Sequence, residues 1–467
     1  MEYVSTRGAA PALDFRGATL AGLASDGGLY LPREWPRFSA DEIAAMAGLP
    51  YAELAARIMQ PFIGDAIAPE RLRELTAAAY GRFAHAAVTP LVQLDERQWL
   101  LELFHGPTLA FKDVALQFLG LLFEEFLRGV DDHLTIVGAT SGDTGSAAID
   151  AVAGRAGIDI FMLHPRGRIS DVQRRQMTTV LADNVHNVAI EGSFDDAQAF
   201  VKRMFNDPAM AGRFHLSAVN SINWARLMAQ VVYYFASALQ LGAPSRRVAF
   251  SVPTGNFGDV FAGYVAARMG LPVERLFVAT NVNDILHRAL SSGDYSASTV
   301  TPTAAPSMDI QVSSNFERLL FDLGGRNGAA LAEQMAGFEA TGAMRLTNAQ
   351  REGAAALFAS ARADADDMAG AMRWAFEATG QVIDPHTAIG LHAARKAEGL
   401  GASVPIVTLA TAHPAKFGDA VERATGLRPS LPARVGDLFE RAERCSDLPG
   451  DYAAVADFVA AHATRQA

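Results

Sequence analysis

The chain has 467 residues, 50% hydrophobic and 19% charged, a length of about three domain-sized units with ample material for a buried core. Its formal net charge of −11 argues against a nucleic-acid or anionic-membrane partner, and its single cysteine, Cys445, excludes a disulfide framework and a cysteine-built zinc site. The opening MEYVSTRG has no apolar signal core, and the nearly apolar run 114–123 is interrupted by Gln117 and too short to span a bilayer; a soluble, cytoplasmic protein is expected.

Residues 1–95 read as a helical layer, with helices over 41–46, 51–59 and 69–80 and Gly/Pro punctuation around SDGGLYLP (25–32). From residue 100 onward, apolar or β-branched runs at 100–104, 134–137, 159–163, 185–190, 248–252, 276–279 and 405–409 read as strands. Helical patterns follow at 110–128, 146–153, 170–181, 194–205, 258–269, 284–291 and 414–424. Such alternation predicts an α/β protein of two parallel-sheet domains. The larger is expected to comprise 96–130 and 230–467, the smaller 131–229. The stretch 286–374, rich in Ala, Gly and Ser, breaks the alternation and reads as an insertion in the larger domain; its acidic run 363–367 reads as a solvated helix surface.

Motifs of several enzyme classes are missing: there is no HExxH, no GxGxxG and no GxxxxGK[ST], and no metal site is expected. Only four of the 40 basic residues are lysine: Lys112, Lys202, Lys396 and Lys416. Arginine replaces lysine on a solvated surface, but not where chemistry needs an amine that can lose its proton. Lys112 lies in LFHGPTLAFKD (103–113), where a strand turns into a helix, so it falls in that helix's first turn. The helix dipole opposes a cation there, and partial burial adds to the effect, which makes the neutral amine accessible. The alternative is a packed stem whose ammonium reaches water. Lys416, one turn into the last predicted helix, reads as a surface residue, as do Lys202 and Lys396 beside Arg203 and Arg395.

Two loops suit anions. GATSGDTGSAA (138–148) follows a strand and offers hydroxyls and N–H groups to a carboxylate or phosphate. In SVPTGNFGDVFAGY (251–264), Gly255, Asn256, Phe257 and Gly258 present successive N–H groups at a helix start, an arrangement suited to phosphate. Either loop alone is weak evidence, since a glycine-rich turn is more often only a turn. Together with a poised lysine they fit a phosphorylated cofactor bound as a Schiff base, with a non-catalytic anion binder as the competing reading. A further segment, TLATAHPAKFGDAV (408–421), places Thr411 at a strand end, where its hydroxyl could face a heterocycle nitrogen or cap a helix.

At these segments the sequence resembles threonine synthase, of the longer subfamily found in bacteria and fungi. The resemblance is collinear through YVSTRG, SDGGLYLP, LFHGPTLAFKDVALQFLG, GATSGDTGSAA, HPRGRISDVQRRQMTT, NSINWAR, PTGNFGD, SMDIQVSSNFERLLF, DPHTAIG and ATAHPAKF. It implies the fold of the tryptophan synthase β-type pyridoxal 5′-phosphate enzymes. It further implies a Schiff base at Lys112, cofactor phosphate held by Gly255, Asn256, Phe257 and Gly258, and Thr411 at the pyridine nitrogen. Ser141, Gly142, Asp143 and Thr144 would take the substrate carboxylate, with Asp143 near the cofactor's 3′-oxygen and a partner bringing it a proton. The implied reaction turns O-phospho-L-homoserine and water into L-threonine and phosphate, the last step of threonine biosynthesis. With one lysine committed, Arg168, Ser170, Asn223 and Arg226 are the candidates for the substrate phosphate. The competing reading for Arg226 is an ion pair with a surface carboxylate. A small-molecule substrate, no nucleic acid or membrane partner, and a monomer or weak homodimer complete the expectation.

Overall fold

Two parallel sheets organise the chain in a computed structural model that describes residues 1–211 and 213–464. In chain order the strands are β1 (Tyr3–Ser5), β2 (Tyr30–Pro32), β3 (Leu91–Gln93), β4 (Gln98–Glu102), β5 (Leu134–Ala139), β6 (Ile158–Pro165), β7 (Val185–Ile190), β8 (His215–Ser217), β9 (Val248–Pro253), β10 (Val273–Thr280), β11 (Phe358–Arg362), β12 (Ile406–Ala410) and β13 (Ser446–Leu448). Six form one sheet in the order β11-β10-β9-β12-β4-β3, parallel except for the β3–β4 edge. Five form the other, β13-β7-β6-β5-β8, parallel throughout. β1 and β2 pair separately and antiparallel.

Strand composition explains this arrangement. Every residue of β9 (VAFSVP), β12 (IVTLA) and β6 (IDIFMLHP) is buried, as continuous apolar runs must be when helices cover both faces. Ser251, inside β9, donates to the Gly390 carbonyl at 2.6 Å. A side chain at Gly390 would press on Pro253 and Thr408 at 3.0 Å, so glycine lets helix Pro385–Arg395 lie directly on the sheet. Helix Lys112–Leu127 is buried on almost all sides, packed against helices Pro69–Tyr80, Asp143–Val152 and Trp224–Gln240. The N-terminal helices therefore form a layer that shields this element.

Two sequence expectations need correction. The stretch 286–374 does not break the alternation throughout: it contributes β11, which pairs in parallel with β10 from Leu276↔Phe358 to Thr280↔Arg362. The chain's end does not stay with the larger sheet, as the range 230–467 supposed. β13 pairs with β7, and helix Tyr452–His462 buries Val455 and Val459 in the core formed by Phe161, Val188 and Ile190. A three-residue edge strand has no periodicity to announce it, and only docking on β7 gives it partners. The acidic run is the solvated helix surface expected of it, with Asp364 and Asp366 exposed at a helix start. Asp364 caps Ala365–Thr379 by accepting from the N–H groups of Asp366 and Asp367, and Ala363 is buried.

Candidate active site

The segment after β4 is held in place before it carries any chemistry. Asp113 accepts the Thr108 N–H at 2.8 Å and the Thr108 hydroxyl at 2.7 Å, closing the turn through Gly106. A Cβ at Gly106 would lie 2.4 Å from the Asp113 side chain, so only glycine fits. Burial pushes the Asp113 carboxyl up to about 6. The stretch following β12 then grips this turn: Phe111 N–H donates to the Thr411 carbonyl, His413 N–H to that of Leu109, and Ala110 bridges Ala412. Lys112 is the first residue of its helix, and Thr411 sits beside it, buried, its hydroxyl engaged by no protein group among the described residues.

Lys112 Nζ lies 3.4 Å from Asp143 Oδ2 and 4.8 Å from the centre of the Phe111 ring. Burial lowers the amine's pKa; Asp143 opposes that effect, while the charges of Lys416 and Arg226 add to it. Asp143 itself begins helix Asp143–Val152, after Gly142 at φ 135°. Thr140 Oγ accepts from the N–H groups of Gly142 and Gly145 and shapes this turn. Any side chain at Gly142 would collide with the Gln173 amide at 2.4 Å. Neither Ser141 nor Thr144, both half-buried, uses its hydroxyl in a hydrogen bond among the described residues.

The surface assignment of Lys416 is wrong. Its side chain is fully enclosed, donating to Asp143 Oδ1 at 2.8 Å and to the Thr108 carbonyl at 2.8 Å. Lys416 lies in a short 3₁₀ turn, Pro414–Phe417, where helical periodicity says nothing about which side is buried. Gln173 Nε2 adds a third contact to Asp143, at 2.8 Å. Burial alone would raise the Asp143 carboxyl, but Lys416, Lys112 and the Gln173 hydrogen bond overcome it and hold the group far below the usual carboxylate range. Gln173 was detectable in the sequence: it stands three residues after Ser170, and Ser170 caps helix Asp171–Thr178 by accepting the Gln173 N–H.

On the far side, β9 runs into the turn Thr254–Gly258 and helix Gly258–Arg268. Phe257 adopts a left-handed conformation (φ 62°) and buries its ring against Phe316 and Phe358. The residues 307–315 hold the turn by its carbonyls. Ser313 Oγ donates to the Gly255 oxygen at 2.7 Å, and Asn315 donates its backbone N–H and its amide to the Asn256 oxygen, each at 3.1 Å. A Cβ at Gly255 would meet the Ser307 oxygen at 2.6 Å. The N–H groups of Gly255, Asn256, Phe257 and Gly258 meanwhile donate to no protein acceptor among the described residues. Behind the turn, Asp259 receives the hydroxyls of Tyr233 and Tyr234, and burial pushes its carboxyl up to about 6.

Arg226 is 3% exposed, and among the described residues no carboxylate pairs with it. It donates to the Val219 carbonyl at 2.9 Å and leaves Nε unpartnered. The expected alternative, a surface ion pair, is absent. Asn223 is otherwise occupied: its Oδ1 accepts from Ala225 N–H, and its Nδ2 donates to the Thr19 carbonyl. It caps the helix that carries Arg226. Arg168 is exposed, and its charge is felt at Asp196. Fully buried Arg318 ties the neighbourhood together through the carbonyls of Tyr30 and Ile222 and the Asn315 side chain.

These features fit pyridoxal 5′-phosphate. An amine with lowered pKa, a row of unclaimed N–H groups at a helix start and an unengaged hydroxyl at a strand end correspond to its aldehyde, phosphate and ring nitrogen.

Comparison with known proteins agrees. Residues 2–80 match the family model described as threonine synthase N terminus, 83–363 that of pyridoxal-phosphate dependent enzyme, and 387–459 that of threonine synthase, C-terminal. The threonine synthase of Pseudomonas aeruginosa is 56% identical over 466 residues, covering 100% of this chain and 99% of that protein. The crystal structure of pyridoxal-phosphate-bound threonine synthase from Brucella melitensis superposes with a TM-score of 0.96 at 52% identity, covering 99% of each chain. That of the yeast enzyme gives 0.93 at 39% identity, covering 99% of this chain and 98% of that one. A buried amine beside a carboxylate, and full-length similarity at these levels, lead to one conclusion: the chain belongs to the threonine synthase family of pyridoxal-phosphate-dependent enzymes.

Proposed function

We propose that the protein converts O-phospho-L-homoserine and water to L-threonine and phosphate. The observation that carries this reading is the buried Lys112 amine, 3.4 Å from Asp143, in the segment that follows β4, while the unclaimed N–H row of Gly255–Gly258 follows β9 at the same edge of the parallel sheet. Bound pyridoxal 5′-phosphate supplies an electron sink for charge that develops on the substrate carbons. Gly255, Asn256, Phe257 and Gly258 would hold its phosphate, Thr411 would meet its ring nitrogen, and Asp143 would serve its 3′-oxygen.

Lys112 Nζ takes the proton from the substrate Cα and delivers protons along the chain, so that phosphate leaves Cγ, hydroxide from water adds at Cβ and Cγ ends as a methyl group. Ser141, Gly142 and Thr144 orient the α-carboxylate. Arg226, buried without an acid among the described residues, and Arg168, just before the Ser170-capped helix, supply positive charge to the leaving phosphate. Ser170 acts through Gln173, which it holds against Asp143, and Asn223 acts by capping the helix that presents Arg226.

Incubation with O-phospho-L-homoserine and pyridoxal phosphate should release threonine and phosphate in equal amounts. Phosphate accompanied by 2-oxobutyrate would instead identify an eliminating lyase. We assign the protein to the cytoplasm as a monomer or weak homodimer; no helix among the described residues is long and apolar enough to cross a membrane.

A further inference from the structure

Asp143 is a single carboxylate facing two ammonium groups where water is excluded. Lys416 Nζ, wholly enclosed, lies 2.8 Å from Oδ1, whereas Lys112 Nζ lies at the longer 3.4 Å from Oδ2. Lys416 is further fixed by the Thr108 carbonyl at 2.8 Å, so it has no route to solvent. Other charged groups that act on this trio are Arg226, from helix Trp224–Gln240, and two carboxyls, Asp113 on Lys416 and Asp259 on Lys112. Of those, Asp113 is pinned to Thr108 and Asp259 to Tyr233 and Tyr234.

With both lysines protonated, the trio carries one surplus positive charge. When Lys112 loses its proton, a neutral Lys416–Asp143 pair remains. Buried charge is least costly when paired, so the arrangement favours a neutral Lys112. Without Lys416 the preference reverses: Lys112 becomes the only cation against Asp143, and deprotonating it strands a buried carboxylate.

We propose that Lys416 is a positioning residue, the permanent counter-ion of Asp143, whose presence frees Lys112 to act as neutral nucleophile and base. The inference rests on the reaction proposed above for its purpose, but its test does not use turnover. The full-length chain, stripped of cofactor, is labelled with a trace of acetic anhydride between about pH 6 and about pH 10, and each lysine is read by peptide mass spectrometry. Having only four lysines makes the assignment clean, and exposed Lys202 and Lys396 serve as internal standards.

In the wild type, Lys112 should become reactive at a lower pH than either standard. In Lys416→Met its midpoint should rise by at least about one unit, an approximately tenfold loss of labelling near neutrality. Lys416→Arg should restore the wild-type midpoint, and Asp143→Asn should move it the opposite way, downward. An unchanged midpoint in Lys416→Met, or an equal rise in Lys416→Arg, overturns the proposal. If Lys416→Met does not fold, Asp143→Asn decides: an upward shift, or none, overturns it. A wild type that makes no threonine would refute the assigned reaction, while the order of labelling would still decide the role of Lys416.

Discussion

Replacing Arg226 with methionine should make the protein more stable and a worse enzyme. Burial lowers this guanidinium from its usual 12.5 to about 10, which corresponds to about 3 kcal/mol against the charged form in the fold. The side chain is charged in both folded and unfolded states at any pH below about 10, so the whole penalty is present at neutrality. Methionine fills a similar volume without it. The hydrogen bond to the Val219 carbonyl is lost, at about 1 kcal/mol, leaving a net gain of about 1–2 kcal/mol. In the role proposed for Arg226, by contrast, its loss removes a charge-assisted contact to substrate phosphate worth about 2–3 kcal/mol, so KM should rise about 30- to 150-fold with a smaller change in kcat. Thermal unfolding with and without millimolar inorganic phosphate, together with steady-state kinetics, reads both effects. The variant should unfold at a higher temperature, and phosphate should stabilise it less than the wild type. A variant that is less stable, with unchanged KM, would show that Arg226 is a structural strut and refute the reasoning.

Other consequences are equally direct. Gly255→Ala puts a Cβ 2.6 Å from the Ser307 oxygen, so the turn must shift; cofactor affinity, followed by absorbance titration, should fall at least about tenfold while Lys112 stays reactive. Asp259 titrates at about 6 in the fold and near 4 when unfolded, so the native state holds its proton longer and loses stability as pH rises between those values. Asp259→Asn should therefore gain on the wild type across that window, by up to about 3 kcal/mol in denaturant titrations, less a constant term for altered hydrogen bonds to the two tyrosines. A difference independent of pH would contradict a buried, proton-retaining carboxyl. Val459→Ala, in the helix docked on the smaller sheet, should cost about 1–3 kcal/mol and speed hydrogen exchange in β7 while leaving β9 and β12 unaffected.

Much of this was legible in the order of residues. Continuous apolar runs separated by helical patterns announce parallel strands, and β7 and helix Phe194–Phe205 fall where their patterns place them. Lys112 at a helix start and the glycine turn before Gly258 are likewise local facts, since dipole, φ and N–H direction are settled within about one helical turn. β4 begins at Gln98, two residues before its apolar run, because parallel pairing with β12 recruits a polar residue that the pattern leaves out.

Tertiary structure decided what pairs with what. Lys416 sits on the carbonyl of Thr108, 308 positions away, and nothing within its own turn distinguishes it from a solvated lysine. Arg226 is left without an acid among the described residues, Asn315 reaches across to the carbonyl of Asn256, and β13 returns to the smaller sheet. Each depends on which remote segments exclude water together. The free energy of a charge is set by its surroundings, and those surroundings exist only once the chain has folded.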